Sequence, residues 1–449
     1  MRASLSGLAI VLGACGFAPA EDTRPSFVVI CTDDQGVGDV GCFGSEIPTP
    51  HIDSLAGDGM RFARAYVAAP VCTPSRFGLL TGRHPNRSRD RLLGALMFLE
   101  ERDRDRGIRA GETTLASVLG ASGYDTALIG KWHLGHGDPS FLPTRHGFET
   151  FYGHTGGCVD YVTKDYGKLA DWYRGEDHVR EDGYATDLLA DEAARWIEAR
   201  SAERPFFLYL PFNAPHFGKG WDAEAGKTRN ILQGEKARIE RFAAIEDPRR
   251  REYAAMVASL DDGVGRVLAA LRRAGRERNT LVVFLSDNGA DPDYGGSNRP
   301  LRGRKTEYFE GGIRVPCIAR WPGRVPAGVT SSQILSALDV FPTFCRLAGV
   351  DVAARSLDGI DLSAVLGGGK TIDRDLVWTD GERGALRRGS WKFVRDASGR
   401  EAIFDLANDP AEASDLSAAD RESLEELRGV FDRVAKGLAP VNSTAERQR

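Results

Sequence analysis

Three features of this sequence predict an α/β fold in which helices sandwich a large, mostly parallel sheet. Short runs of β-branched and aromatic residues recur along the first three-quarters, helical patterns separate them, and four of the runs end in clusters of polar side chains. Phe27-Val28-Val29-Ile30 reads as the first buried strand, and Ala127-Leu128-Ile129, Phe206 to Leu210 and Leu281 to Leu285 read the same way. Thr114, Leu115, Val118 and Leu119 share one helical face, and Leu188, Leu189, Trp196 and Ile197 share another. Tyr253, Met256, Val257, Leu260, Val264, Val267, Leu268 and Leu271 keep helical spacing over several turns. Strands alternating with helices imply crossover connections, hence a sheet covered on both faces. The pattern changes after about Asp351. Arg387 to Val394 and Ala402 to Leu406 read as strands joined through Asp396-Ala397-Ser398-Gly399, and Leu424, Leu427, Phe431 and Val434 line a final helix. The expected organisation is a large domain over 21–350, a smaller C-terminal α+β domain over 351–440 and a frayed tail over 441–449.

Residues 1–20 read as an export signal rather than as part of the fold. Arg2 gives a positive start, Leu5 to Leu12 is apolar, and Ala18-Pro19-Ala20 offers small residues for cleavage before Glu21. Leu12-Gly13-Ala14-Cys15 also resembles a bacterial lipobox, which would make Cys15 a lipidated first residue. The expected location is periplasmic or secreted, with a lipid anchor through Cys15 as the alternative. No later stretch is long and apolar enough for a membrane span. The net charge of −5, with cations dispersed along the chain, implies no general affinity for nucleic acid or anionic membranes. Six cysteines remain once Cys15 is set aside. A chain of this size needs no disulfides for its core, and their connectivity cannot be read from sequence.

In open α/β sheets ligands bind beyond the carboxyl ends of the strands. There the sequence places Asp33-Asp34-Gln35-Gly36, Gly130-Lys131-Trp132-His133, Asn213-Ala214-Pro215-His216 and Asp287-Asn288-Gly289. Asp33, Asp34, Asp287 and Asn288 are hard oxygen donors suited to Ca²⁺ or Mg²⁺, and without a cation three such carboxylates would repel and push one pKa up. Turn and cap roles are the alternative for each pair. Lys131 and His133 lie two apart, on one face if the strand continues, and with His216 and Arg76 they supply donors for a tetrahedral anion. Leu301 to Pro316 combines glycines with Arg302, Arg304, Lys305 and Arg314, and as a basic surface loop it would be unremarkable in itself. Cys72-Thr73-Pro74-Ser75-Arg76 places a thiol, a helix-starting proline and an arginine together. With a helix beginning at Pro74, Cys72 sits at its mouth beside backbone N–H groups that favour an anion. Two readings fit these five residues: a nucleophile beside an anion site, or a small buried cysteine before an ordinary helix.

Taken in order, these segments resemble the type I, formylglycine-dependent sulfatases of the alkaline phosphatase superfamily, and most of all their arylsulfatase A and N-acetylgalactosamine-6-sulfatase branch. Cys72-Thr73-Pro74-Ser75-Arg76 is similar to the C-x-P-x-R signature of that family. Asp33 to Asp39, Gly130 to Gly135, His216, Asp287-Asn288-Gly289 and Gly303 to Pro316 match in sequence order, over about residues 26 to 350, with no departure at a family catalytic position. Phe404 to Pro410 resembles the family's C-terminal domain. The resemblance implies that Cys72 is oxidised to formylglycine, whose hydrate attacks sulfur and later expels sulfate by re-forming the aldehyde. It implies Ca²⁺ held by Asp33, Asp34, Asp287 and Asn288, with Asp287 as base and Arg76 positioning the diol. Lys131, His216 and Lys305 would neutralise sulfate oxygens, His216 or Lys305 would protonate the leaving alcohol, and His133 would take the second diol proton.

The expected substrate is a sulfated saccharide. The expected partner in maturation is a formylglycine-generating enzyme or an anaerobic sulfatase-maturing enzyme. Specificity is expected in loops around Arg83-His84, from Cys158 to His178 and from Phe217 to Arg250, with Trp172 and Tyr173 either stacking on a sugar ring or packing internally. The competing functions are a phosphonate or phosphodiester hydrolase using the same formylglycine and an inert lipoprotein that only binds sulfated glycan.

Overall fold

A computed structural model describes residues 24–201 and 203–438. The export signal, the lipobox at Cys15 and the tail over 441–449 lie outside the described residues. Ten strands form one sheet, in the spatial order Val329–Ser336, Met60–Tyr66, Cys317–Arg320, Thr280–Ser286, Ser26–Thr32, Phe206–Pro211, Asp125–Lys131, Thr150–His154, Tyr173–Arg174 and Asp177–His178. All run in one direction except Cys317–Arg320 and Tyr173–Arg174.

Alternation along the strands divides the interior in two. Val28, Ile30, Leu208 and Val282 face the helices Pro50–Gly57, Ala185–Glu198 and Pro248–Arg273 through Ile52, Leu189, Leu260 and Val264. Phe27, Val29, Leu128 and Leu281 face the opposite way, against Cys72–Thr81, Leu115–Ala121 and Val340–Leu347. Strands buried on both sides read as continuous apolar runs, which is why these four are evident in the sequence. Thr114, placed on a helix face by its spacing, is instead the N-cap of Leu115–Ala121, its hydroxyl accepting from Ser117 N–H.

The chain past Val350 stays with the large core through Leu362, Val365 and Leu366 before a four-stranded antiparallel sheet begins at Asp375. The single strand expected from Arg387 to Val394 is two, Gly384–Arg388 and Trp391–Arg395, because Gly389 turns the chain at φ +55°. Leu386, Phe393 and Ile403 of this sheet pack on Leu424, Leu427 and Phe431 of the helix Arg421–Leu438. Val434, expected on that face, is 36% exposed. The other face lays Trp378, Ala385 and Phe404 on Tyr66, Val67 and Ile313 of the large unit.

Buried polar contacts also join the small sheet to the large unit, among them Trp378 Nε1, which donates to Val67 O at 2.6 Å. Lys392, fully buried, donates to Glu310 Oε1 at 2.8 Å and lies 3.5 Å from Glu412 Oε1. Burial raises the pKa of both carboxyls, but Lys392 and Arg314 outweigh it at Glu310 and hold that group below its usual range. Glu412 is pushed up to about 7, with Glu310's charge adding to the burial. One ammonium thus faces one carboxyl held ionised and one drawn toward its neutral form. His84 makes another contact, its Nε2 hydrogen-bonding Val377 O at 3.1 Å, and burial lowers its pKa to about 4.

Replacing Lys392 by methionine leaves buried Glu310 with only the more distant Arg314 as counter-charge and is expected to cost on the order of 3 kcal/mol, read as a lowered denaturant midpoint. His84 gives a pH signature. Its folded pKa of about 4 lies below the ordinary 6.5, so the unfolded chain takes up the proton first as the medium acidifies. Stability present above pH 6.5 is lost as pH falls through about 4, and a His84→Gln variant should show a shallower decline in Tm across that window.

Candidate active site

The carboxyl edge of the sheet gathers the polar strand ends. Thr32 is followed by Asp33 and Asp34, Ser286 by Asp287 and Asn288, and Lys131 closes its own strand. The adjacent ends are tied by backbone donors: Asp34 N–H reaches Asp287 Oδ1 at 3.3 Å and Gln35 N–H reaches Ser286 Oγ at 3.0 Å. Gly289 and Gly130 allow the neighbouring chain to come in close. A Cβ at Gly289 would lie 1.8 Å from Gly311 O, and one at Gly130, where φ is +135°, would lie 1.9 Å from Pro211 O.

Cys72 is the first residue of the helix Cys72–Thr81, so the helix starts two residues earlier than Pro74. Proline at the third position is tolerated because the first four N–H groups of a helix have no partner within it. The first turn closes between Ser75 N–H and Val71 O at 3.1 Å. That turn sends Arg76 inward. Its Nε donates to Asp287 Oδ2 at 2.9 Å, one terminal nitrogen lies 2.7 Å from the same oxygen, and the other donates to Lys131 O at 3.0 Å. The Cys72 thiol lies 3.4 Å from Asp33 Oδ1.

Each carboxylate meets a cation. Lys131 Nζ donates to Asp33 Oδ2 at 2.5 Å, and Lys305 Nζ donates to Asp34 Oδ2 at 2.6 Å. His216 Nε2 sits 3.4 Å from that same Asp34 oxygen, while its Nδ1 bonds Phe217 O at 2.8 Å. Burial alone would raise the Asp34 pKa, but Lys305 and His216 hold it at about 2. Burial, reinforced by the charge of Asp33, pushes Asp287 up to about 6 against the pull of Arg76. One raised carboxyl among three is what mutual repulsion requires. Burial and Lys305 bring the His216 pKa down to about 3, and burial and Lys131 hold His133 well below its usual value. Burial drives the Cys72 thiol well above its ordinary range, so as a thiol it is a poor nucleophile.

Asp33, Asp34, Cys72 and Asp287 each place a donor atom within 4.8 Å of the others. Asn288 donates its amide N–H to Asp34 Oδ1 at 2.7 Å, and its carbonyl oxygen is buried with no hydrogen-bond partner. Three carboxylates and an orphaned amide oxygen match the donor set of a hard divalent cation.

The strand does not continue to His133. It ends at Lys131, and His133 turns at φ +56°, so the two side chains diverge. Lys131 stays under the carboxylates, whereas His133 hydrogen-bonds Leu96 O through Nε2 at 2.9 Å and leaves Nδ1 unpartnered. His133, Cys72, His216 and Lys305 line one cavity of about 240 Å³. Its walls include Leu96, Phe98, Cys158, Tyr166, Phe217 and Lys219. Cys158, Tyr166, Phe217, Lys219 and Asn230 come from two of the expected specificity loops. The third does not reach it, since Arg83 pairs with Glu112 and His84 with the small sheet. The segment bearing Leu96 and Phe98 was not legible as a wall, having neither periodicity nor a charged motif. Trp172 and Tyr173 are packing residues, set against Tyr152 and Phe151. All six cysteines among the described residues are free thiols.

Comparison with known proteins agrees with this geometry. The Sulfatase family profile matches residues 25–350. The chain is 32% identical to N-acetylgalactosamine-6-sulfatase of Canis lupus familiaris over 94% of its own length and 88% of that protein's. It is 34% identical to Arylsulfatase G of the same species over 95% and 87% of the two chains. Among solved structures, Ps i-CgsB in complex with k-i-k-neocarrahexaose superposes with a TM-score of 0.81 at 33% identity, covering 92% of each chain. With the family profile spanning the large sheet and every strand end that builds the cavity, this chain belongs to the sulfatase family and is a sulfuric ester hydrolase.

Proposed function

We propose that this protein hydrolyses sulfate esters of a carbohydrate through a formylglycine made from Cys72, with Ca²⁺ held by Asp33, Asp34, Asp287 and Asn288. The observation that carries the reading is the convergence of Cys72 and three carboxylates within 4.8 Å, beside an Asn288 oxygen left without a partner. Similarity to an N-acetylgalactosamine-6-sulfatase and to a protein solved with a neocarrahexaose favours a sulfated saccharide as substrate. The hydrated aldehyde supplies two hydroxyls on one carbon, one to attack sulfur and one to drive release. When bound, Ca²⁺ supplies charge that polarises the sulfate and lowers the pKa of neighbouring oxygens.

The chain's own residues do the rest. Arg76 spans Asp287 and the Lys131 carbonyl, which fixes it beside residue 72 to orient the diol. Asp287 is the base for the attacking hydroxyl. Lys131, Lys305 and His216 reach the sulfate oxygens from the positions they hold at Asp33 and Asp34. The leaving alcohol takes its proton from Lys305 Nζ, or from His216 Nε2 when the bound sulfate's negative charge brings that imidazole to its protonated form. His133 Nδ1, which carries no other hydrogen bond, accepts the second diol proton. Residues 1–20 would export the chain to the periplasm or beyond, or anchor it through Cys15. Cys72, nearly inaccessible once folded, would meet a formylglycine-generating or anaerobic maturing enzyme before folding.

Mass spectrometry of the peptide containing Cys72 from active protein should find the aldehyde, and an unmodified thiol there would overturn the scheme. Cys72→Ala is expected to lower kcat/KM on 4-nitrophenyl sulfate by about 10³-fold or more. Exhaustive chelation should abolish sulfate release, and added Ca²⁺ should restore it. Full activity in the chelated protein would refute the metal assignment.

A further inference from the structure

We propose that Lys219, steadied by Asn230, is a second anion-binding position at the rim of this cavity, and that the saccharide bound there carries another negative group close to the scissile sulfate. The proposal rests on the reading of the cavity as the sulfate-ester site.

Lys219 lies on the strand Gly218–Asp222, opposite Asn230 of the antiparallel strand Lys227–Ile231. Both residues line the cavity with Cys72, His216 and Lys305. Its position is fixed from several sides. Lys219 O accepts from Gly167 N–H at 2.9 Å, Nζ donates to Asn230 Oδ1 at 2.8 Å, and Nζ stands 5.5 Å from the centre of the Tyr166 ring. Asn230 is held in turn, donating to the Tyr294 hydroxyl at 2.7 Å. A hydrogen bond to one amide oxygen occupies one of the three ammonium protons. Among the described residues no carboxylate pairs with Lys219. The other ammonium on the cavity wall, Lys305, is bound to Asp34.

A lysine whose backbone and side chain are both held, and which has no counter-charge, presents an organised positive charge to whatever enters. In a concave site with low-dielectric walls that charge is felt more strongly than on an open surface. Phe98, Tyr166 and Phe217 supply such walls and can take the apolar face of a sugar ring. Cys158 lines the same cavity. Burial pushes its thiol up to about 12, and the first charges opposing that are Lys131 and Lys219. The floor cations would meet the scissile sulfate, leaving Lys219 to read a neighbouring anion. That anion is a second sulfate ester or a uronate carboxylate, groups with the same charge and acceptor chemistry at an ammonium.

Isothermal titration calorimetry on the full-length Cys72→Ala protein with Ca²⁺ present separates binding from turnover. The probes are matched pairs: the 6-sulfates and 4,6-disulfates of galactose and of N-acetylgalactosamine, and a monosulfated uronate disaccharide against its carboxyl-reduced form. At least one dianionic member should bind about tenfold more tightly than its partner. Adding Lys219→Met should erase that preference while changing the Kd of the monoanionic member less than twofold, and Lys219→Arg should retain it. A preference confined to the disulfates identifies the second anion as sulfate, and one confined to the uronate pair identifies it as carboxylate. Equal binding within every pair, or a preference that survives Lys219→Met, overturns the proposal. Turnover of 4-nitrophenyl sulfate by the unsubstituted protein, measured in parallel, judges the sulfate-ester reading separately.

Discussion

Burying three carboxylates within one small volume is the constraint on which the rest of this structure depends. Asp33, Asp34 and Asp287 are almost wholly removed from solvent, and ionised carboxylates at such a depth are costly unless paired. Lys131, Lys305 and Arg76 answer them, and each comes from a different part of the chain. Lys131 ends a central strand, Lys305 sits on a loop, and Arg76 is delivered by the first turn of the helix that also presents Cys72. The same pairs therefore satisfy the charges and fix Cys72 relative to the three carboxylates. Helix start, strand end and loop are held in one arrangement because any other would leave a buried charge alone.

That arrangement explains why the sheet was legible and much of its rim was not. Phe27 to Ile30 and Leu281 to Leu285 must bury both faces, so their residues are apolar without interruption. The strand Met60–Tyr66 carries Arg61 and Arg64 toward partly open surroundings and does not read as part of a buried sheet. Cys317–Arg320 is too short to announce itself. In the site, the polar strand ends stand out because charged residues directly after apolar runs are informative. The hairpin that holds Lys219 and the segment with Leu96 and Phe98 gain their meaning only from packing against other loops, which no local pattern encodes. His133 shows the limit from the other side. Its spacing from Lys131 suggested a shared face, and a left-handed turn, which sequence spacing cannot register, put it on the cavity wall instead.

Three non-glycine residues of the site hold left-handed backbone: Asp34 at φ +58°, His133 at φ +56° and Thr306 at φ +76°. Such conformations cost on the order of 1–3 kcal/mol each, most for a β-branched residue. They persist because their surroundings over-determine them. Asp34 is gripped by Lys305, Asn288 and the Asp287 oxygen that accepts its N–H. His133 donates its backbone N–H to Thr155 O at 3.1 Å, and its carbonyl accepts from the Thr73 hydroxyl at 3.0 Å. Thr306 N–H bonds Pro70 O at 2.8 Å, two residues before Cys72. Backbone strain thus sits at a residue of the carboxylate cluster, at the wall histidine and at the lysine loop.

The small C-terminal sheet enters the site by the same logic. The loop bearing Lys305 is pinned at its near end, where Lys305 N–H reaches Ala290 O at 3.1 Å. Its far end runs into Glu310, whose backbone N–H donates to Glu412 Oε2 at 2.7 Å, while Arg302 donates to Glu412 O at 2.8 Å. Lys392 of the small sheet then bonds the Glu310 side chain, and Tyr66, at the end of a strand of the large sheet, donates to the same carboxylate at 2.8 Å. One buried carboxylate therefore joins the small sheet, the large sheet and the lysine loop. A loop held only by the large unit would be free to move Lys305 away from Asp34, and without that ammonium Asp34 would be a buried charge facing two others. The small sheet is accordingly a structural requirement of the site, because it immobilises the cation that the buried carboxylates need.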